Sequence, residues 1–349
     1  MLKNCILLVM AFLVTTSSLL AQDKEGSLVK WMTVKEMMAA VKEQPKPVIL
    51  DFYTDWCGWC KRMMATTYAD PALSAYINQN FYPVKFDAEG KDTVEFQGKT
   101  YAPTSMAPRT PHPLAVELLQ GKLMYPTTLF LTAYDKAKNE FQVKMLAPGF
   151  LEKKNIEPIL VFMLENVFRN SGIDPFTQAF NTAFYDTTVT ARIAKLPWKQ
   201  PAAWFDGNEH EKKKTLVFLG TDWCNSCRVM ERAVFTDSLL QSPLEKFALV
   251  KLNPEEPAPL FWNGKLYQKM PEDKFPFHPL TLDLTRGNFV LPTCAVLDES
   301  GKLLDAIPFF LNAETLAQIL TFYGSDVYLK KSWTEFQQAP GDPAPPQKQ

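Results

Sequence analysis

Cysteines are the residues with the most chemistry to offer in this chain. Cys57 and Cys60 stand in Thr54-Asp55-Trp56-Cys57-Gly58-Trp59-Cys60, and Cys224 and Cys227 in Thr221-Asp222-Trp223-Cys224-Asn225-Ser226-Cys227. Two sulfurs three residues apart support three kinds of chemistry. They can close a static disulfide, supply half of a four-cysteine zinc site, or cycle between dithiol and disulfide. Zinc ribbons bring their cysteine pairs closer together in sequence than these two, which weighs against the metal. Cys294 stands alone and reads as a buried, inert thiol; an auxiliary thiol near the second pair is the alternative. Met63 and Met64 follow the first pair and read as core packing, with copper binding beside Cys57 and Cys60 as the sharper alternative. His112 and His278 read as loop-packing residues rather than thiol activators or metal ligands.

The surroundings of the two pairs repeat, and the repeat defines the elements that must position them. Trp31 maps to Trp198 and the cysteines to each other at an offset of 167. Beyond the cysteines the offset is 166: Val84-Lys85 maps to Val250-Lys251, Gly98-Lys99 to Gly264-Lys265, Tyr101 to Tyr267, His112-Pro113-Leu114 to His278-Pro279-Leu280, and Pro126-Thr127 to Pro292-Thr293. This many ordered matches predict a tandem pair of domains. Thr33 to Glu43 carries Val34, Met37, Met38 and Val41 at helical spacing, and Pro45 and Pro47 end it. Val48 to Tyr53 is a strand, and the first cysteine pair follows at a strand-to-helix turn, with helix continuing from Lys61 to Ala69. Strands are expected at Asn80 to Asp87, Pro126 to Thr132 and Phe141 to Leu146, with an irregular stretch from Ala88 to Met124. Ile156 to Phe168 is an amphipathic helix. Phe176, Phe180 and Phe184 predict another helix within residues 171–196.

Composition narrows the setting. The chain has 349 residues, and 37 Lys+Arg against 38 Asp+Glu leave a net charge of −1, which gives no electrostatic case for nucleic acid or an anionic membrane. Lys3, the apolar run from Cys5 to Val14 and the small, polar stretch to Ala21 read as a signal peptide, residues 1–21; Leu19 departs from its small-residue pattern. Ten apolar residues are too short to span a bilayer of roughly 30 Å, which favours a cleaved signal peptide over the alternative of an uncleaved membrane anchor. The protein is therefore expected to work in the periplasm or outside the cell, where disulfides persist. Residues 337–349, rich in Pro and Gln, are expected to be disordered.

Strand, Trp-Cys-x-x-Cys, helix and a distant Pro-Thr before a strand resemble the thioredoxin superfamily, across nearly the whole mature chain and twice. The lead-in of Trp, helix, Lys-Pro, strand and Asp-Trp-Cys is similar to that of the reductase domain of periplasmic thiol:disulfide interchange proteins. The resemblance implies an α/β fold of two tandem thioredoxin-like domains, each a central mixed sheet flanked by helices. The expected bounds are 22–170 and 197–336, joined by a helical connector, 171–196. It also implies that Cys57 and Cys224 are nucleophiles. At a helix N-terminus the thiol pKa falls from about 8.5 towards neutrality. Cys60 and Cys227 would then close the disulfide and release the partner. Pro126 and Pro292 match the family's cis-proline, with Tyr125 and Leu291 presenting backbone to a substrate strand. Asp51 occupies the place of the buried acid that deprotonates the second cysteine, and Lys85 that of its lysine neighbour. Phe218 stands where Asp51 does in the second unit, although Lys251 is retained, so resolution at Cys227 should be slower or use water. Trp56, Trp59 and Trp223 would form aromatic docking faces. The dipeptides Gly58-Trp59 and Asn225-Ser226 predict unequal reduction potentials. The long loops 88–124 and 253–291 are expected to fold over the active faces.

These readings predict an extracytoplasmic thiol:disulfide oxidoreductase that reduces or exchanges disulfides in client proteins. A disulfide oxidase or isomerase of the same fold is the nearest alternative. A redox-idle module that only holds partners is the next. No small-molecule cofactor motif or metal site is expected, so electrons for a reductase would come from a membrane-borne thiol donor.

Overall fold

The computed structural model describes residues 26–132, 134–141, 144–205 and 213–338. The signal-peptide reading and the tail beyond Gln338 lie outside them. Helix α1 (Val34–Glu43) starts at a capping arrangement in which the Glu36 amide donates to the Thr33 hydroxyl (3.2 Å) and the Thr33 amide to the Glu36 carboxylate (2.8 Å). It buries Val34, Met37 and Val41. Strand β1 (Val48–Tyr53) is buried on both faces, as a central strand must be. Helix α2 (Gly58–Ala65) carries the first cysteine pair at its start and buries Met63 and Met64 completely, which fits their reading as core residues.

The helix expected to continue to Ala69 breaks at Thr66 into a short 3-10 turn, Thr67–Ala69. A further helix, α3 (Pro71–Asn80), follows, with Asp70 capping the Leu73 amide (2.8 Å). Strand β2 (Tyr82–Asp87) comes next. The stretch 88–124 expected to be irregular holds a hairpin, β3 (Val94–Phe96) and β4 (Lys99–Tyr101), and a helix, α4 (Pro113–Leu118). Strand β5 (Thr127–Leu131), the small hairpin β6 (Tyr134–Asp135) and β7 (Glu140–Phe141), strand β8 (Lys144–Pro148) and helix α5 (Lys153–Leu164) complete the N-terminal half. Its sheet runs in the order β2-β1-β5-β8. Met32 extends the β2 edge through a parallel bridge to Val84.

Helix α6 (Ile173–Tyr185) confirms the phenylalanine spacing by burying Phe176 and Phe180. After α7 (Val189–Ile193), strand β9 (Trp198–Lys199) and helix α8 (Pro201–Phe205) lead to β10 (Lys214–Leu219), again buried throughout. The buried Lys214 ammonium is held by Glu299 (2.6 Å) and Asp326 (2.8 Å). Helix α9 (Asn225–Val229) carries the second cysteine pair and passes into a π-helical turn, Met230–Val234. Helix α10 (Gln241–Leu244), β11 (Phe247–Leu252), the hairpin β12 (Leu260–Trp262) and β13 (Lys265–Tyr267), α11 (Leu280–Leu284), β14 (Thr293–Leu297), β15 (Leu303–Pro308), α12 (Ala313–Gly324) and α13 (Trp333–Gln337) follow. The sheet order is β15-β14-β10-β11-β9. Strands β9, β11 and β10 are parallel, whereas β14 runs antiparallel to both β10 and β15. Val217, Leu219, Val250, Ala295 and Leu297 form one core cluster with Trp204 and Leu280. A large apolar side chain in such a cluster contributes roughly 1.5–3 kcal/mol on burial.

Packing groups the chain into two compact units. One holds residues up to Ala40, Ile49–Leu129 and Leu146–Phe150; the other holds Val41–Val48, Phe130–Met145 and everything from Leu151. Helix α5 thus belongs to the unit that contains the second cysteine pair, whereas the sequence reading counts it with the first. Among the described residues no helix is long and apolar enough to cross a membrane.

Candidate active site

Each cysteine pair sits where a buried central strand gives way to a helix. Both pairs are closed as disulfides, with Cα–Cα distances of 5.3 Å (Cys57–Cys60) and 5.2 Å (Cys224–Cys227). Cys57 is the N-cap of α2 and its sulfur accepts the Cys60 amide at 3.1 Å; Cys224 caps α9 and accepts the Cys227 amide at 3.2 Å. Both leading sulfurs therefore lie in the partial positive charge of a helix start. The Tyr125-Pro126 and Leu291-Pro292 bonds are both cis.

Around the first centre Trp56 and Trp59 are each 57% exposed. The Trp56 indole donates to Glu89 (3.1 Å), its ring meets Tyr125 edge-on at 6.2 Å, and the Arg109 guanidinium lies 5.8 Å from its centre. Arg109 belongs to the 88–124 stretch, so that loop does reach this face. Trp59 packs on Phe150 (5.6 Å) and under Arg62 (5.3 Å). Burial raises the Asp87 carboxyl, and it pushes the Tyr125 hydroxyl up to about 12, with the charges of Glu89 and Asp87 adding to the latter. Trp223 repeats the arrangement of Trp56: it is exposed and donates to Glu255 at 3.0 Å. Sequence reading missed Glu89 and Glu255, although they stand at the 166 offset of the repeat.

The two units differ on the strand that leads into each cysteine pair. Asp51 is fully buried on β1 and accepts the Thr128 hydroxyl of β5 at 3.1 Å. Nearby Tyr68 has its hydroxyl pKa raised well above the ordinary range by burial, with the Asp51 charge adding to it. Phe218 and Cys294 stand at the matching positions and are register partners on β10 and β14. The Phe218 ring packs on Phe235 at 5.0 Å. A Cβ placed on Gly220 would meet this ring at 3.0 Å and the Cys227 Cβ at 3.2 Å, so Phe218 lies directly against the second centre. A polar pair in one unit is thus an apolar pair in the other. The Lys85 ammonium lies 4.5 Å from the centre of the Tyr53 ring, and Lys251 is ion-paired with Glu231 (2.7 Å).

Burial pushes the Cys294 thiol up to about 12, in keeping with its reading as an inert residue. We expect iodoacetamide at pH 8 to leave Cys294 unlabelled in the native chain and to label it in denaturant; native labelling, read by peptide mass, would contradict this.

Both histidines cap helices from within their loops. The His112 Nδ1 accepts the Leu114 amide (3.2 Å) and its Nε2 lies 2.9 Å from the Asp92 carbonyl; His278 accepts the Leu280 amide (3.3 Å) and approaches the Ala258 carbonyl (3.1 Å). Burial lowers the His278 pKa below 6.5. The unfolded chain takes up a proton near that pH which the folded loop refuses. The stability present above about pH 6.5 is therefore lost progressively as pH falls below it. The thermal midpoints of wild type and His278→Gln should differ less at pH 5.5 than at pH 7.5; a constant difference would show that His278 does not titrate in this way.

Two family models match the chain. The one described as a protein of unknown function, DUF255, matches residues 11–148, and the one described as thioredoxin-like matches residues 199–290. With the fold, they place the chain in the thioredoxin superfamily. Among curated relatives, the thiol:disulfide interchange protein DsbD of Vibrio vulnificus is 43% identical over 68 residues, 19% of this chain and 12% of the relative. That of Neisseria meningitidis is 43% identical over 54 residues, 15% and 9%. The match thus spans about a tenth of the length of these relatives. Among solved structures, a thioredoxin-fold protein from Helicobacter pylori is 17% identical with a TM-score of 0.29, covering 36% of this chain and 76% of that one. The reduced C-terminal domain of Neisseria meningitidis DsbD is 21% identical with a TM-score of 0.24, covering 37% and 91%.

Proposed function

We propose that the chain is an extracytoplasmic thiol:disulfide oxidoreductase, built by internal duplication, that reduces or exchanges disulfides in client proteins through two centres. The observation that carries this is the twofold placement of a closed Cys-x-x-Cys disulfide at a helix N-cap. The two cis-prolines and the local similarity to thiol:disulfide interchange proteins support it. The leading sulfur, Cys57 or Cys224, attacks the client disulfide to form a mixed disulfide. The second, Cys60 or Cys227, then closes the internal bond and releases the client thiol. Asp51 relays the proton of Cys60, with Lys85 tuning the strand end beside it. Trp56, Trp59, Tyr125 and Pro126 seat the client strand at the first centre; Trp223, Leu291 and Pro292 do so at the second. Reduction is the favoured direction because Asp51 supplies a buried base at the first centre. Its electrons come from a membrane-borne thiol donor in the periplasm or outside the cell.

The test is equilibration of the native chain with glutathione buffers, followed by maleimide trapping. Both pairs are expected to open as the buffer becomes reducing, titrating four thiols and leaving Cys294 untouched. Pairs that stay closed in native protein across the range would point instead to static disulfides in a binding module.

A further inference from the structure

One carboxylate at the second centre has no counterpart at the first. Glu165 follows the last turn of α5, its amide bonded to the Val161 carbonyl (2.9 Å) and Asn166 beyond it in the left-handed region (φ 55°). Its side chain reaches the start of α9. Oε1 accepts the Asn225 amide (3.0 Å), and Oε2 accepts the Ser226 amide (2.7 Å) and the Ser226 hydroxyl. Oε2 also lies 3.7 Å from the Cys224 sulfur. At the first centre Gly58 and Trp59 are exposed, and among the described residues no carboxylate takes their amides.

We propose that Glu165 is the acid–base partner of Cys224: it keeps the sulfur in its thiol form at rest and accepts the proton when that sulfur attacks. This rests on the reading that the Cys224–Cys227 pair exchanges with clients. Two of the amides at this helix start, those of Asn225 and Ser226, already serve a carboxylate, which leaves the Cys227 amide to the Cys224 sulfur. Two anions 3.7 Å apart in a covered site are strongly disfavoured, so reduced Cys224 and Glu165 hold one proton between them. Burial raises the Glu165 pKa, against the pull of its bonds to Ser226 and Asn225, and this makes it a better proton acceptor than an exposed carboxylate.

In attack on a client disulfide, the Cys224 S–H bond breaks and its proton passes to Glu165. The sulfur electron pair forms the mixed disulfide, and the client S–S bond breaks. The leaving thiolate then takes the proton from Glu165. Cys227 next attacks Cys224, restores the internal disulfide and releases the second client thiol, which receives the Cys227 proton through water. Two electrons pass from the dithiol to the client.

The other charged groups around this site are engaged elsewhere or stand at the element ends. Arg228 lies over the Phe184 ring (4.8 Å) and Arg169 over the Phe309 ring (5.0 Å). Arg232 donates to the Ala183 carbonyl, and Glu231 pairs with Lys251. Glu157 accepts from Tyr185 and lies 3.9 Å from Lys153. Asp174 begins α6, and Asp222 is exposed ahead of Cys224. Among the described residues Glu165 itself makes no ion pair.

The experiment uses the full chain with Cys57→Ser and Cys60→Ser, reduced with excess phosphine. The rate of Cys224 alkylation by iodoacetamide is followed by peptide mass from pH 5 to 10. With Glu165 in place, the midpoint should lie above the ordinary thiol value of about 8.5. Glu165→Gln keeps an acceptor for the amides but not the charge. It should move the profile to lower pH and raise the rate at pH 7 at least about tenfold. A wild-type midpoint below about 8.5, or superimposed profiles for a folded Glu165→Gln protein, would overturn the proposal. Because phosphine opens the pair whether or not clients can, this result is independent of the glutathione titration. Failure there with a displaced profile here would sink the exchange reading alone.

Discussion

Cys57→Ser, in a chain whose second centre is silenced by Cys224→Ser and Cys227→Ser, is expected to abolish exchange with a disulfide-bonded peptide. A serine hydroxyl ionises too weakly to attack and cannot enter a disulfide. Cys60→Ser should behave differently. Cys57 still attacks, but nothing resolves the product, so the mixed disulfide accumulates to about one peptide per chain. Intact mass spectrometry separates the two outcomes. The asymmetry follows from the cap geometry: the Cys57 sulfur caps the helix and accepts the Cys60 amide, while Cys60 lies within the first helical turn. Peptide trapped at Cys60 in Cys57→Ser would reverse the assignment of nucleophile and resolver.

Phe218→Asp should be among the most damaging single changes in the second unit. It removes a fully buried ring from contact with Phe235 and Trp198 and puts a charge against Cys294, a poor partner. The lost packing alone costs about 3–5 kcal/mol, and the unpaired charge adds to it. Because Thr128 donates to Asp51 in the first unit, adding Cys294→Thr should return about 1–2 kcal/mol. Hydrogen exchange of β10 and β14 amides reads both effects locally. A cost below about 1 kcal/mol for Phe218→Asp, or no recovery in the double variant, would show that the two strand pairs are not exchangeable solutions to the same buried position.

The parts legible in sequence were those set by local pattern. The apolar spacing of α1, the unbroken apolar run of β1 and the position of each cysteine pair at a strand-to-helix turn all emerge in the structure. Other local signals were present but unread. Asp70-Pro71 is a capping residue followed by a proline at the first helical position, and α3 starts there. Gln97-Gly98 and Asn263-Gly264 both take positive φ at the tips of hairpins, and Asn-Gly is a favoured pair for that turn. Glu165 had no local signal. It lies 59 residues before Cys224, and only the packing of α5 on α9 brings its carboxylate to the sulfur. The Asp51-to-Phe218 difference was visible along one strand. Its compensation at Thr128 and Cys294 needed the strand pairing to be seen.

The reduction potential of the Cys57–Cys60 pair decides whether the first centre reduces clients or oxidises them. The measurement uses the full chain with Cys224→Ser and Cys227→Ser, equilibrated against glutathione or dithiothreitol and quantified by thiol trapping. A potential near about −270 mV is the expected result, the poise of a thioredoxin-like reductant supplied by a thiol donor. A potential of about −120 mV would make the first centre an oxidant instead, because a disulfide so easily reduced donates its oxidation to clients rather than removing theirs.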